Sequence, residues 1–564
     1  MYLRKYTKTM RSLMLMALMA VAMPIMAQNT SDHNFRVAKN LDIFNAIYRN
    51  LDLMYVDSLD ADKTIGTAIR SMMRSLDPYT DYFPEDKAAE YKQMMTGKYA
   101  GIGSIISYSF TRKHVIINEP YEGMPAAEAG LKKGDMILSI DGESMVGKTT
   151  AYVSDHLRGE PGTTMVLKIQ RPSTGKKMTV KVQRKAIQMP YLPYYGMQKD
   201  GIGYINYNQY LENSAKDVRR AFIDLKKQGM KGLVLDLRDN GGGLEDEAVK
   251  LVNIFIPRGK VVVTNRGQLK RMTVEFRTTT EPVDTVMPVV VLVNGNTASA
   301  SEITCGALQD YDRAVIMGQR TFGKGIVQST VPLQYNSMLK LTTGKYYIPS
   351  GRCIQAIRYT HGRGGKWQEE VPDSLAKVFH TANGREVLDN KGIKPDVEIK
   401  PDSLANITAA LFSLIDSTNT VPEFEQQYVA KHPTIAPAGE FELSDADYEE
   451  FKQLVLKNKF KYDMYTERYL KELKKLAQFE GYYDDAKEEF AALEKKLAHN
   501  IGHDLDYHKE EIKNMLASEI VACYYFQRGV EENGLRHDKV YKEAVRLINH
   551  PAEYSKLLQP KKDK

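Results

Sequence analysis

Ser299, Lys324 and Gln328 have the types and spacing of a hydrolytic nucleophile, its base and an orienting amide. Ser299 lies in Asn294-Gly-Asn-Thr-Ala-Ser-Ala-Ser-Glu302, and Lys324 follows 25 residues later in Thr321-Phe-Gly-Lys-Gly-Ile-Val-Gln328. The apolar run 289–293 before the serine reads as a buried strand, and 303–308 after it as a helix. A serine on a sharp strand-to-helix turn is exposed and close to backbone N–H groups, which suits a nucleophile. A lysine can take its proton where burial keeps the amine neutral near pH 7. Gln328 shares a face with Lys324 if 325–331 is a strand, because side chains repeat every second residue. Each residue also has a plainer reading. Ser299 and Glu302 fit the S-x-x-E capping box, Lys324 could be a solvated turn lysine between two glycines, and Gln328 an edge-strand polar residue. The constellation is more specific than its parts and points to a serine/lysine hydrolase.

The elements that must position these residues alternate. Strands are predicted at 201–206, 232–238, 289–293 and 314–318, and helices at 215–228, 245–255 and 299–310. A βαβα run of this kind predicts an α/β fold with a mainly parallel, layered sheet. The strand at 232–238 ends in Asp239-Asn-Gly-Gly-Gly243, which lacks the lysine of a P-loop and the spacing of a dinucleotide fingerprint. Beside Ser299, its N–H groups suit an oxyanion.

Residues 34–95 read as a small helical lead-in, with apolar residues at helical spacing on either side of 55–60. From 96 to 188 glycines and short β-rich runs take over. Glu122-Gly-Met-Pro-Ala-Ala-Glu-Ala-Gly-Leu-Lys-Lys-Gly-Asp-Met-Ile-Leu-Ser-Ile-Asp-Gly142 resembles a PDZ domain, with a groove helix expected at 153–159 and closing strands at 164–170 and 178–183. Such a module binds an extended peptide as an added strand and takes its terminal carboxylate in a backbone nest; Gly101, Ile102 and Gly103 form the natural nest.

Arg4, Lys5, Lys8 and Arg11 precede the apolar run 13–22, and Met26-Ala27-Gln28 offers a cleavage site, so 1–27 reads as a secretory signal and the chain as exported, periplasmic or otherwise extracytoplasmic. The formal charge of +7 includes those four basic residues; without them the chain is near +3, which argues against nucleic acid as a partner. The three cysteines match no metal pattern, and the eleven histidines form no HExxH and fall on loops or surfaces, so neither a metal nor a cofactor is expected. From about 406 to 564 the chain is Lys/Glu-rich with helical periodicity, either a cap packed on the enzyme or a surface for self-association or an adaptor protein.

The stretch from about 40 to 400 resembles the C-terminal processing peptidases of serine peptidase family S41. Leu76-Asp-Pro-Tyr-Thr-Asp-Tyr-Phe83, the PDZ segment, Leu235-Asp-Leu-Arg-Asp-Asn-Gly-Gly-Gly243 and the two stretches around Ser299 and Lys324 carry the resemblance, with Tyr347-Ile-Pro-Ser-Gly-Arg-Cys-Ile-Gln355 and Gly392-Ile-Lys-Pro-Asp396 in support. It implies a layered ClpP/crotonase-like protease core at 189–405 with the PDZ domain inserted and helical regions at both ends. It also implies Ser299, rather than Ser301, as nucleophile, Lys324 as general base and Gln328 as the residue orienting the lysine. The oxyanion hole would comprise the amides of Ala300 and of Gly242 or Gly243. The implied substrates are exported proteins with flexible apolar C-terminal tails. An insertion at 357–383 and the tail after 405 depart from shorter family members. Two other readings are a non-catalytic PDZ scaffold with a degenerate core and an acyl hydrolase of small molecules; the first conflicts with the presence of all three polar residues, the second with the PDZ segment.

Overall fold

The computed structural model describes residues 32–560 apart from 269–270, 272, 360–367, 402, 414–417 and 498–499. The expected secretory signal and residues 360–367 of the insertion at 357–383 therefore lie outside the described residues. Two compact units divide the chain between Tyr82 and Phe83.

The first unit holds a helix over 32–54 and a second at Ala61–Arg74. Asp60 caps the second, accepting the Lys63 N–H at 3.0 Å. Asp77 then accepts the N–H groups of Tyr79 (2.8 Å) and Thr80 (2.7 Å), which closes the turn that the Asp77-Pro78 pair announces.

The second unit is organised around a six-stranded sheet in the order Tyr194–Met197, Ile202–Asn206, Gly232–Asp236, Val289–Val293, Val315–Gly318, Val397–Glu398. Only the first pair is antiparallel; the other four pairings are parallel. A parallel sheet is covered on both faces, so its strands are apolar throughout rather than alternating. Val289, Val291 and Val293 pack with Leu233, Leu235 and Ile316 against the helices Ser214–Lys227, Glu245–Val252 and Ala300–Asp310. Val290, Leu292, Val234, Val315 and Met317 face the other way, onto Ala544, Leu547 and Ile548 of helix Lys539–Ile548 and Tyr554 of Pro551–Leu557. The Tyr554 hydroxyl bonds both the N–H and the carbonyl of Val289, each at 3.0 Å. Thus the end of the chain is the second layer of the sheet, and the cap reading applies to this part of it. Each buried Val or Leu contributes roughly 1.5–3 kcal/mol to that layer.

Residues 406–534 build a separate helical core around Phe424, Tyr448, Phe451, Leu516 and Ile520. The helix Lys509–Gly534 is broken at Phe526 (φ 56, ψ −166). A second, antiparallel sheet of Val261–Gly267, Val274–Arg277, Ile326–Pro332 and Met338–Tyr347 adjoins the parallel one; its hairpins have no helical period and were not expected beyond the strand at 325–331.

The PDZ strands run in the order Ser104–Ser109, His114–Pro120, Met136–Ile140, Thr164–Gln170, Lys177–Gln183, all antiparallel, around Ile117, Ile137, Leu167 and Ile169. Ser104–Ser109 is an edge strand. The groove helix is Thr150–Leu157, three residues earlier than expected, because Thr149 caps it by accepting the Tyr152 N–H at 3.2 Å. Lys98–Gly101 and Lys185–Gln188 pair where the chain enters and leaves this domain. On its far side Lys133 is clamped by Glu425 (3.2 Å) and Glu519 of the C-terminal helices. Burial alone would push the Lys133 ammonium down, but the two carboxylates outweigh it and hold it above its ordinary value.

Candidate active site

Ser299 joins strand Val289–Val293 to helix Ala300–Asp310 with φ 58 and ψ −117. An ordinary N-cap is extended; Ser299 holds the cap position without the cap conformation, at a backbone cost of about 1–3 kcal/mol. Its neighbours overdetermine the turn. The Asn240 carbonyl accepts the Ala298 N–H (3.0 Å) and the Ser301 hydroxyl (2.9 Å), and Thr297 Oγ1 donates to the Leu237 carbonyl at 2.9 Å.

The glycine turn lies against this loop. A Cβ on Gly242 (φ +96) would stand 2.7 Å from the Ala298 carbonyl oxygen, 2.9 Å from the Ala300 nitrogen and 2.9 Å from Ser299 Cβ. On Gly243 (φ +144) it would meet the Tyr210 carbonyl oxygen at 2.2 Å. Only glycine fits either place. The Gly242 amide donates to Asn240 Oδ1 at 2.9 Å. The bridge from Tyr210 to Gly243 uses the Gly242 carbonyl (3.0 Å) and the Leu244 N–H (2.8 Å), not the Gly243 amide.

One cleft of about 420 Å³ is lined by Ser299, Ala300, Lys324, Gln328, Gly242 and Gly243, so the expected catalytic and oxyanion residues converge. Ser299 and Lys324 are both half-buried, whereas fuller burial was the expected means of neutralising the lysine. The parity argument for Gln328 does not hold. The strand begins at Ile326, so Lys324 precedes it and alternation cannot relate the two residues; the register shift opposite Val327 and Gln328 leaves Thr343 of the partner strand as the extra residue. Its amide donates to Thr342 Oγ1 at 3.2 Å.

Two residues that sequence reasoning missed in this role tie the serine and lysine loops together. The fully buried Glu302 carboxylate accepts the backbone N–H of Ser299 (2.9 Å), Gly323 (2.7 Å) and Lys324 (2.9 Å) and the Thr321 hydroxyl (2.5 Å). Burial pushes its carboxyl up to about 7, against the opposing pull of those hydrogen bonds. On the other side the buried Tyr346 hydroxyl donates to the carbonyls of Ser299 (3.2 Å) and Lys324. The Ser-x-x-Glu spacing was the signal for Glu302; nothing in the sequence marks Tyr346. The 347–355 and 392–396 stretches brace the same loop: Gln355 Oε1 accepts the Gly325 N–H at 2.6 Å, and Thr321 Oγ1 accepts the Ile393 N–H at 2.6 Å.

The PDZ groove is a second cavity of about 370 Å³, lined by Gly101, Ile102, Ser104, Ile106, Tyr121, Ala151, Ser154 and Arg158. Gly103, the third residue of the expected nest, is not among the residues lining this cavity; the Ile102 and Gly103 carbonyls are bound by the N–H groups of Ala126 (2.8 Å) and Tyr121 (3.0 Å). Arg158, the C-cap of the groove helix, adds a cation that sequence reasoning did not single out. Helix Ala88–Thr96 lies between the two sites, with Gln93 in the groove and Met94 and Met95 in the cleft. Among the described residues no cluster of three or more His, Cys, Asp or Glu is placed to hold a metal ion, no helix is long and apolar enough to cross a membrane, and the three cysteines are free thiols.

The family model for peptidase family S41 matches residues 201–361, that for a PDZ domain 116–171, and that for the C-terminal helical domain of a probable PDZ-protease 407–548. The chain is 36% identical over 347 residues to the carboxy-terminal-processing protease of Bartonella bacilliformis, covering 61% of this chain and 79% of that protein. It is 33% identical over 381 residues to a probable CtpA-like serine protease of Staphylococcus aureus, covering 66% and 74%. Among solved structures, the photosystem II D1 C-terminal processing protease is 28% identical with a TM-score of 0.35, covering 64% of this chain and 87% of that one. The chain belongs to peptidase family S41: it is a serine protease of the C-terminal processing group, with a PDZ domain and a helical C-terminal region.

Proposed function

We propose that the protein is an exported endopeptidase that captures flexible apolar C-terminal tails in the PDZ groove and cleaves them with a Ser299/Lys324 dyad. The convergence of Ser299, Lys324, Gln328, Ala300 and the glycine turn on one cleft carries this reading. Neutral Lys324 takes the proton from Ser299 Oγ, which attacks the scissile carbonyl. The resulting oxyanion accepts hydrogen bonds from the Ala300 amide and the glycine turn. The Gly243 amide is the second donor, because that of Gly242 is bound to Asn240 Oδ1. The lysine ammonium protonates the departing amine, the C–N bond breaks, and water deacylates Ser299 with Lys324 again as base. Gln328 holds the lysine in line.

In the groove, the tail adds to the free edge of Ser104–Ser109, its terminal carboxylate meeting the amides of Gly101, Ile102 and Gly103 with Arg158 nearby. The chain then divides into an export signal (1–27), a helical lead-in (34–95), the PDZ domain (96–188), the peptidase core (189–405) and a C-terminal helical domain (406–564). The helix Tyr465–Glu480, with Tyr469, Leu473, Leu476 and Phe479 exposed, provides the surface for self-association or an adaptor.

The test is cleavage of a folded protein bearing a disordered apolar tail. Ser299→Ala and Lys324→Arg should each lose at least about 10³-fold in rate with folding intact, since a guanidinium does not deprotonate. Cleavage by Ser299→Ala at the wild-type rate would overturn the dyad.

A further inference from the structure

The parallel strand that leads to the glycine turn ends in Asp236, and the first side chain beyond it, Leu237 aside, is Arg238. Its guanidinium Nε lies 2.9 and 3.0 Å from the two Asp236 oxygens, and Nη2 lies 2.5 Å from Asp538 Oδ2. Asp236 is further engaged by the Arg238 N–H (2.9 Å) and the Tyr204 hydroxyl (2.8 Å). Asp538 sits 300 residues later in the chain, at the start of the helix that covers the back of the sheet. Its Oδ1 caps that helix, accepting the N–H of Val540 (2.8 Å) and Tyr541 (3.0 Å). A cap alone does not need a carboxylate, since Asn or Ser serve as well. The second oxygen is given to Arg238.

From Arg238 the chain passes directly into the turn. Asp239 (φ 60) is held by Asn294, whose Oδ1 accepts the Asp239 N–H at 3.0 Å, and by Asn296, whose amide donates to Asp239 Oδ1 at 2.8 Å. Asn240 then binds the Ala298 N–H and the Ser301 hydroxyl of the Ser299 loop through its carbonyl and the Gly242 amide through its side chain. The turn is thus suspended between the Ser299 loop at one end and the Asp236–Arg238–Asp538 cluster at the other.

We infer that Asp538 is a positioning residue for the peptidase reaction: through Arg238 it fixes the glycine turn against Ser299, so the C-terminal helical region is part of the catalytic apparatus. The inference rests on the Ser299 reading above. Withdrawing one carboxylate leaves the guanidinium half-neutralised in a partly buried site and frees the end of the turn that the Ser299 loop does not hold. The parallel tie between Asn206 and Glu531 (2.6 Å) keeps the helical region attached.

The test uses the full-length enzyme and the tailed substrate. Asp538→Asn keeps the cap and the shape and removes the charge; Asp538→Ala removes both. The expected result is a loss of about tenfold or more in kcat for Asp538→Asn, with KM within about twofold and an unfolding midpoint lowered by the half-neutralised guanidinium but still above the assay temperature, as for a change of one charge-assisted contact felt at the transition state. The burst of acyl-enzyme, which counts competent sites, should keep its amplitude and lose its rate. Asp538→Glu should recover part of kcat, and Asp538→Ala should add a loss of stability. A kcat within twofold of wild type for Asp538→Asn, or a loss matched by a smaller burst amplitude, would overturn the inference. Failure of the serine reading would appear separately, as retained turnover in Ser299→Ala.

Discussion

The catalytic cleft and the PDZ groove are cavities of similar size, about 420 and 370 Å³, built in opposite ways. The cleft is overdetermined: Ser299 has a positive φ, Gly242 and Gly243 sit where a methyl group would collide, and the buried Glu302 ties the serine loop to the lysine loop. The groove is a gap between an edge strand and a capped helix, and in the proposed reading the edge strand Ser104–Ser109 is itself the element to which a tail adds. Chemistry requires groups held at fixed distances and repaid in strain, whereas strand addition requires only backbone left unpaired. A change in the cleft should therefore act on kcat steeply, and one in the groove on KM mildly.

Gly242→Ala gives the largest expected effect. Its Cβ would meet three atoms of the Ser299 loop, so the turn must move, and kcat should fall by about 10³-fold or more, as when an oxyanion donor is lost. A rate within tenfold of wild type would show the cleft to be more tolerant than its geometry implies.

Glu302→Gln should lower kcat by about 10²-fold and should also change the pH dependence. Burial raises the folded-state carboxyl from 4.5 to about 7, so the native protein holds a proton in that interval that the unfolded chain has lost. The stability from this group is complete below about 4.5 and disappears as pH rises through about 7. The ionised form is the one that accepts the N–H groups of Ser299, Gly323 and Lys324, so turnover should rise over the range in which stability falls. Denaturation midpoints and kcat at pH 5 to 8, wild type against Glu302→Gln, check both signs; parallel profiles in the two proteins would remove Glu302 from the account.

Arg158→Gln is the mildest. It should raise KM about tenfold for a substrate with a free C-terminal carboxylate, the worth of roughly 1.4 kcal/mol, and leave kcat and the KM of the amidated substrate unchanged. Equal effects on acid and amide would mean that the groove does not read the terminus through this cation.

The same contrast decides what could be read in advance. The βαβα alternation, the Ser299 loop and the glycine turn follow local periodicity and turn chemistry, and the PDZ segment its turn residues, so these parts were legible. Tyr346 and Asp538 were not, since each acts on a partner far away in sequence that no local pattern connects to it. Gln328 was assigned to the cleft by a two-residue count that does not apply, because Lys324 lies in the turn before the strand begins at Ile326. The cap formed by 539–557 could not be separated from a surface helix by amphipathic spacing alone: both show one apolar face, and only the sheet's second face tells them apart.

The most direct measurement is rapid acid quenching of the enzyme with an activated ester of a tail peptide, followed by peptide mapping for the acyl adduct. The account predicts one adduct, on Ser299, that forms in the wild type and in Arg158→Gln and is absent from Lys324→Arg. An adduct on another residue, or one on Ser299 that forms as fast without Lys324, would contradict it.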